Sequence, residues 1–376
     1  MLKDRAQKAT ALALSVSKRW LPQLEVEIEA STRIERSKFL LTDIDVLAVA
    51  PAPIGGHVRM VFDCKSGAKE SAIGRAFWLH GVMTRAAAAQ GFVVLNEKVA
   101  IKHDHRISAS ELSVSLLHES EFEDLAQCMG GTTKNVEAAV ANIDAWDQFL
   151  SVGAKYPSTS EYLSFAKSSF WMIKDPGEQC RKTVAKLRAI RTEMDPAKIE
   201  HIALFGDSLC LFLLALSELA NRLFLVLLRP TSQEEFSSSL LALLYGGYEN
   251  LEAAQKIRRL TSGAGSDDAV SIFPEIGKFE QLVREILQAP QQALRASLLA
   301  RELSFSFLVS AGTTELQSQL AVESPYAAKF VLMACEYLQK AAKLPSEFAI
   351  TYSDAALSLS ASVLKSVPHR VVPYGS

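Results

Sequence analysis

The chain changes its hydrophobic pattern near Gly130 and Gly131. Before this pair, stretches with a period of two alternate with stretches of helical period, whereas residues 131–376 carry apolar side chains almost entirely at helical spacing. A period of two places alternate side chains on opposite faces of a strand, and helical spacing lines one face of a helix. We therefore predict an α/β domain with a mixed sheet flanked by helices at residues 1–130, and an all-α domain at residues 131–376.

The first region predicts a helix followed by a small mixed sheet. Leu24, Val26 and Ile28 alternate with three glutamates, a pattern typical of a strand with one solvent-exposed face. Gly55 and Gly56 separate two apolar strands and predict a hairpin. The predicted elements are a helix ending before Pro22, strands at 24–29, 39–49, 58–65, 92–95 and 111–117, a helix at 70–89 and a helix opened by Glu121.

Helix-start signals punctuate the second region. Asp175 is followed by Pro176 and, three residues after the aspartate, by Glu178, a combination that caps and opens helices. An N-cap residue before proline recurs at Asp195 and Ser324. Together with repeated apolar stripes, these signals predict a bundle of about ten helices. We interpret this bundle as a recognition, regulatory or oligomerisation domain.

The segment 202–228 is apolar enough to raise the question of a membrane span. Asp207, Glu218, Asn221 and Arg222 interrupt it. Charges at mid-bilayer depth are costly, so we predict that this segment is buried inside the second domain and that the protein has no membrane partner.

Charge and cysteine usage narrow the function classes. Lys and Arg total 40 against 42 Asp and Glu, for a formal net charge of -2, so a nucleic-acid site must be a local patch. The five cysteines are widely spaced without a CxxC pair, which argues against a zinc ribbon and a disulfide framework. The first residues lack the pattern of a secretory signal, and we expect a cytoplasmic protein. The chain has no Walker-type loop, which argues against nucleotide triphosphate hydrolysis.

Acidic residues interrupt the two apolar strands that the hairpin joins. Asp43 and Asp45 share one face of the first strand, and Asp63 and Lys65 share one face of the second. Carboxylates this close repel one another unless a cation lies between them, and hard oxygen ligands suit Mg²⁺ or Mn²⁺. We predict Asp45, Asp63 and Lys65 as catalytic residues. In this interpretation Asp45 and Asp63 bind the ion, and Lys65 positions a water or offsets charge; Asp43 is a further candidate.

These residues resemble the PD-(D/E)XK nuclease superfamily. Its pattern is an aspartate on one strand, a hairpin, and then Asp or Glu, any residue and Lys, which Asp45 and Asp63-Cys64-Lys65 supply. The strings Asp-Ile-Asp-Val-Leu-Ala and Asp-Cys-Lys-Ser-Gly are similar to the restriction-endonuclease-like and Holliday-junction-resolvase-like branches. The resemblance covers residues 1 to about 125, and the helical domain resembles no family that we can name.

The resemblance implies a function. We expect an Mg²⁺- or Mn²⁺-dependent endonuclease that acts on DNA rather than RNA, of the kind found in prokaryotic defence systems. A protein partner or a homo-oligomer would form through the helical domain. A catalytically inactive scaffold that binds DNA or a protein, and an RNA-cleaving effector, are the alternatives.

One part of the family pattern is missing from the first helix. Many members carry a glutamate there that points at the metal, whereas this helix offers only Asp4 and Gln7 at comparable positions. Glu25, Glu27 or Glu29 on the next strand is an alternative source of the third ligand.

Residues beyond the acidic strands complete the candidate list. Lys69 and Arg75 are candidates for contact with phosphate, and Arg75 lies on the helix where family members often place a polar residue near the site. His103 and His105 lack a third ligand at a fitting spacing, so we predict a polar loop there. Because the acids repel one another without metal, we also expect Asp63→Ala to melt no lower than the parent in chelator.

Overall fold

The computed structural model describes residues 2–30, 39–53, 55–228, 232–261 and 273–366. Its strands are β1 (Leu21–Glu29), β2 (Leu40–Pro51), β3 (His57–Lys65), β4 (Gln90–Leu95) and β5 (Val114–His118). They form a five-stranded sheet in the order β1-β2-β3-β4-β5.

The sheet is mixed, as predicted. β1, β2 and β3 pair antiparallel, whereas β3, β4 and β5 pair parallel. Parallel neighbours need a crossover, which α2 (Ala72–Ala86) supplies between β3 and β4 and α3 (His103–Glu111) supplies between β4 and β5. The helix α1 (Arg5–Ser17) precedes β1. The turn of the β2–β3 hairpin holds Gly55 and Gly56 at φ of 94° and 72°, a conformation that favours glycine.

Two local predictions in this region were wrong. The first strand was predicted to begin at Leu24, but β1 begins at Leu21 and includes Pro22. Because β1 is an edge strand, the missing N–H of proline is tolerated there. The predicted polar loop at His103 and His105 is instead the start of α3. This helix buries only Ala109 and therefore carries no apolar stripe for sequence reasoning to detect.

The second region is largely helical, as predicted, and a π-helical turn at Phe165–Ser169 lies between two of its short helices. The remaining helices are α4 (Phe122–Cys128), α5 (Ile143–Lys155), α6 (Ser160–Ser164), α7 (Phe170–Met172), α8 (Pro176–Ala189), α9 (Ile199–Leu227), α10 (Gln233–Leu244), α11 (Tyr248–Thr261), α12 (Ile276–Leu287), α13 (Ala293–Leu308), α14 (Glu315–Glu323), α15 (Pro325–Ala342) and α16 (Ser346–Ser366).

The helix-start signals have mixed outcomes. Asp175 caps α8, because its carboxylate accepts the backbone N–H of Glu178 at 2.7 Å. Ser324 precedes α15 as expected. The prediction at Asp195 was wrong: its carboxylate accepts the N–H of Ala197 at 3.0 Å in a turn, and α9 begins only at Ile199.

The apolar helix α9 packs along α13. Among the described residues it is the one helix whose length and composition would suffice to cross a membrane, and 72% of its most apolar window is buried inside the protein. The prediction of burial is confirmed for the apolar side chains as far as Leu223. Beyond it, four apolar side chains are exposed: Phe224, Leu225, Val226 and Leu228.

The sheet and the helical region share one continuous cluster of buried apolar side chains. The helical region also covers the glutamate-bearing face of β1, which we predicted to be exposed. Glu27 pairs with Lys167 at 2.8 Å, and both side chains are half-buried. Neither face of β1 is therefore fully exposed to solvent.

A buried arginine joins β1 to the helical region. Arg301 on α13 is fully buried and donates to Asp207 on α9 at 2.6 Å. It also donates to the carbonyl oxygen of Pro22 and to the side chain of Gln23, each at 2.8 Å. Burial raises the pKa of Asp207, and the Arg301 guanidinium opposes that shift. One guanidinium on α13 thus bonds three groups on two other elements, β1 and α9.

We expect Arg301→Met to lower the free energy of unfolding by about 3–5 kcal/mol, because it leaves the Asp207 carboxylate buried without its counter-charge. The double variant with Asp207→Leu should be closer to the parent, since both charges are then absent. Urea unfolding measures both values. Lys329→Met, which removes a partly exposed pair with Glu285, is the control and should cost about 0–1 kcal/mol. Equal losses in the single and double variants would contradict the assignment.

His57 provides another contact between the sheet and the helical region. It begins β3 and its Nδ1 lies 3.6 Å from Glu218 on α9. Burial lowers the pKa of His57 from 6.5 to about 4, although Glu218 opposes the shift. In the folded protein the imidazole therefore stays neutral at pH values where the unfolded chain takes up a proton.

This difference predicts acid sensitivity. Stability due to His57 is retained above pH 6.5 and is lost as the pH falls toward 4, with a loss on the order of 3 kcal/mol below both values. Chemical unfolding from pH 7.5 to pH 4 should show a smaller decline for His57→Asn than for the parent. His80→Asn, at an exposed histidine on α2, is the control and should decline like the parent; parallel curves for all three proteins would disprove the prediction.

Candidate metal centre

Asp45 lies at the centre of the candidate site. It lies on β2 and is buried. Its Oδ2 accepts the backbone N–H of Cys64 at 2.7 Å and the Lys65 ammonium at 3.1 Å. Its Oδ1 lies 2.8 Å from the Lys8 ammonium. Three donors from two different elements therefore fix the orientation of this carboxylate.

Asp63 lies on the adjacent strand β3 and is also buried. Arg75, on α2, makes a bidentate pair with it, in which Nε lies 2.7 Å from Oδ2. The Lys65 ammonium lies 2.9 Å from Oδ1. The Arg75 guanidinium also lies 4.0 Å from the centre of the Trp78 ring. Asp63 therefore has both oxygens in contact with cations of the protein.

The structure brings Asp45, Asp63 and Lys65 together through Lys65, which bridges the two carboxylates. The carboxylates that are spaced to hold a metal ion are a different set, Glu25, Asp43 and Asp45, each of which offers an oxygen within 4.8 Å of the others. Asp45 belongs to both groups. We call Glu25, Asp43 and Asp45 the acidic triad.

Strand geometry explains why the acidic triad converges. On β1, the two neighbours of Glu25 pair with the two neighbours of Asp45 on β2: Leu24 with Val46, and Val26 with Ile44. Glu25 therefore stands across from Asp45. Asp43 lies two positions before Asp45 and therefore on the same face of β2. Burial increases from Asp43, which is exposed, through half-buried Glu25 to buried Asp45.

Glu25 has an unusual backbone conformation for a strand residue. Its φ is +55°, in the left-handed region, which costs of order 1–3 kcal/mol for a residue other than glycine. Such conformations persist where the surrounding structure imposes them, and they cluster at functional sites. Of the three glutamates considered as a third ligand, the structure places Glu25 in the triad, whereas Glu27 contacts Lys167.

The first helix contributes a lysine rather than an acid to the site. Lys8 is buried and pairs with both Glu25 and Asp45. Asp4 instead accepts the backbone N–H of Ser66 at 2.8 Å, and Gln7 donates to Glu119. We missed Lys8 in the sequence, although it precedes buried Ala11 and Leu12 by three and four residues and so lies on the inner face of α1.

Electrostatics keep the lysines of the site protonated. Burial alone would lower the pKa of Lys65, but Asp63 and Asp45 raise it well above its ordinary value. Asp45 and Glu25 likewise outweigh burial and raise the pKa of Lys8. Burial raises the pKa of Glu25; the contact with Lys8 opposes that shift, and weaker repulsion from Asp45 and Asp43 adds to it. Lys65 is therefore a cation at neutral pH and not a general base.

The acidic triad opens into a cleft of about 710 Å³. The sheet supplies the triad and Lys65, and α1 supplies Lys8. The helix α5 also lines the cleft, through Asp147, Leu150 and Ser151. Arg5 on α1 pairs with Asp144 and Asp147 and so holds α5 at the cleft. Sequence reasoning assigned no part of the site to the helical region, because no acid or histidine motif marks α5.

Of the remaining sequence-based candidates, Lys69 and His105 lie outside this centre, and Arg75 contacts it through Asp63. Lys69 is exposed in the segment between β3 and α2. His105 accepts the backbone N–H of Lys102 at 3.4 Å at the start of α3. Arg75 contacts Asp63 directly, so its position within the site is set by an ion pair.

Comparisons of the chain with protein-family models, with curated proteins and with solved structures return no match. The structure supports the coarser part of the resemblance noted in the sequence: a mixed five-stranded sheet with flanking helices and an acidic triad. Membership of the PD-(D/E)XK superfamily remains a resemblance carried by Asp45, Asp63 and Lys65.

The contacts of Asp63 reverse one sequence-based expectation. Asp63→Ala leaves the charges of Lys65 and Arg75 without their shared carboxylate, so we now expect it to lower the free energy of unfolding in chelator by about 3–5 kcal/mol. Asp43→Ala is the matched control, because it removes an exposed carboxylate that adds repulsion at Glu25. Its melting temperature should equal or exceed that of the parent. Thermal melts in EDTA test both, and an unchanged Asp63→Ala protein would restore the original expectation.

Proposed function

We propose that this protein is a metal-dependent nuclease that hydrolyses phosphodiester bonds in DNA. The observation that carries the proposal is the acidic triad at a cleft beside Lys65, itself paired with Asp63 on the adjacent strand. Carboxylate oxygens are the donors that Mg²⁺ and Mn²⁺ prefer, and three of them on two strands fit such an ion. The proposed ligands are therefore Glu25, Asp43 and Asp45.

Each residue has a distinct role in this proposal. A divalent ion at the triad would supply Lewis-acid polarisation of the scissile phosphate and lower the pKa of a bound water. Lys65 lines the cleft as a cation and offsets the charge that develops on the phosphate, or orients the attacking water. Asp63 contacts the Lys65 ammonium and is itself held by Arg75, so we assign Asp63 a positioning role in place of metal binding.

The substrate must enter past the helical region. Because α5 lines the cleft, a substrate at the triad would also contact this region. This supports its proposed role in target recognition, with a protein partner or a second copy of the chain as further roles. The preference for DNA over RNA, and a place in prokaryotic defence, rest on the resemblance alone.

A second candidate function is an inactive scaffold that binds DNA or a protein. The observation that favours it is the set of cations already present at the carboxylates. Lys8 contacts Glu25 and Asp45, and Lys65 and Arg75 contact Asp63. A site neutralised by its own side chains is stable without metal, which is a property expected of a scaffold.

One set of cleavage reactions separates these functions. Purified protein is incubated with supercoiled plasmid, linear DNA and RNA in Mg²⁺, Mn²⁺ or EDTA. We expect metal-dependent cleavage of DNA that falls about 100-fold or more in Lys65→Ala, because a preorganised charge acts mainly in the transition state. DNA affinity in a gel-shift assay should change far less, since distributed phosphate contacts supply it.

Lys69→Ala is the control, because it removes an exposed lysine close in sequence to the site. It should retain cleavage within a few-fold of the parent. Unchanged cleavage by Lys65→Ala would refute this site. Cleavage of RNA alone would favour the effector alternative, and no cleavage of any substrate by the parent would favour the scaffold.

A further inference from the structure

Lys8 contacts carboxylate oxygens of Asp45 and Glu25 that a metal ion at the triad would also use. Oδ2 of Asp45 already accepts the Cys64 N–H and the Lys65 ammonium, which leaves Oδ1 as the oxygen available to another cation. The Lys8 ammonium lies 2.8 Å from that Oδ1 and also contacts Glu25. Two of the three triad carboxylates are therefore engaged by one buried lysine.

A divalent ion and the Lys8 ammonium cannot share this position. Mg²⁺ lies about 2.0–2.1 Å from its oxygen ligands, so an ion on Oδ1 would lie within a few ångströms of the ammonium. At that separation, with little solvent, the repulsion between like charges is large. Lys8 is 2% exposed, so water screens the repulsion poorly.

We propose that Lys8 is an internal competitor for the metal, so that metal binding at this site is an exchange of one cation for another. This inference rests on the metal site of the proposed function and adds a regulating residue to it. Asp4 offers a second carboxylate to the displaced ammonium: it lies four residues before Lys8 and lines the same cleft, where it accepts the backbone N–H of Ser66.

Metal affinity tests the exchange directly. Mn²⁺ binding is measured by calorimetry for the parent, Lys8→Met and Lys8→Arg at pH 7.5. We expect Lys8→Met, which keeps most of the length of the side chain without its charge, to bind Mn²⁺ at least tenfold more tightly than the parent. Lys8→Arg retains the charge and should bind like the parent. Adding Asp43→Asn to Lys8→Met should remove the gain, which places the ion at the triad.

The matched control is Lys167→Met. Lys167 is a half-buried lysine that pairs with Glu27, on the same strand as Glu25. Its loss should leave Mn²⁺ affinity unchanged. Equal affinities of the parent and folded Lys8→Met overturn the inference, as does an equal gain in Lys167→Met.

A measurement on the parent covers the case in which Lys8→Met fails to fold. Amine acetylation is followed by mass spectrometry in EDTA and in saturating Mn²⁺. Buried Lys8 should be protected in EDTA and should react several-fold faster once Mn²⁺ displaces it. Lys329, whose side chain is 45% exposed, reports the intrinsic reactivity and should not change. Lys8 that stays equally protected in Mn²⁺ overturns the inference.

These outcomes are independent of catalysis. Tighter Mn²⁺ binding by Lys8→Met, together with no cleavage of any nucleic acid, supports the exchange and overturns the nuclease proposal. Metal-dependent cleavage by the parent, with unchanged Mn²⁺ affinity in Lys8→Met, supports the nuclease and overturns the exchange.

Discussion

Buried carboxylates on adjacent strands require positive charge close by, and this requirement organises the first region of the protein. Lys65 bridges Asp45 and Asp63 across β2 and β3. Lys8 reaches Asp45 on β2 from α1, and Arg75 reaches Asp63 on β3 from α2. A buried ion pair gives little net stability, but removal of one partner is costly. The two helices that flank the sheet are therefore positioned by the same charges that form the candidate site.

The same rule operates where the helical region meets the edge strand. Arg301 satisfies Asp207 and two groups of β1, and Lys167 pairs with Glu27 farther along the strand. These contacts cover an edge that would otherwise be exposed to pairing with another chain. They also hold β1 on both sides of Glu25, which helps a glutamate to keep its left-handed φ of +55° and to face Asp45. The shape of the triad therefore depends on packing outside it.

Sequence reasoning recovered what depends on local pattern. Alternating faces and the glycine turn predicted the β2–β3 hairpin and the acids on it, and Lys65 followed from its spacing after Asp63. What it missed depends on tertiary contacts. Lys8 belongs to a helix whose docking on the sheet no local pattern describes, and the role of Glu25 depends on a backbone conformation that its residue type does not favour. The cleft wall from α5 is a product of how two regions pack.

These charges show why a ligand set alone does not decide between a nuclease and a scaffold. The triad supplies suitable oxygens in either case. What differs is the free energy of moving the Lys8 ammonium from Asp45 and Glu25, relative to the free energy of binding a divalent ion in its place. The contacts of Asp63 with Lys65 and Arg75 do not involve Lys8. In the proposed exchange, the position of one buried lysine therefore determines whether the carboxylates act as part of the protein core or as a metal site.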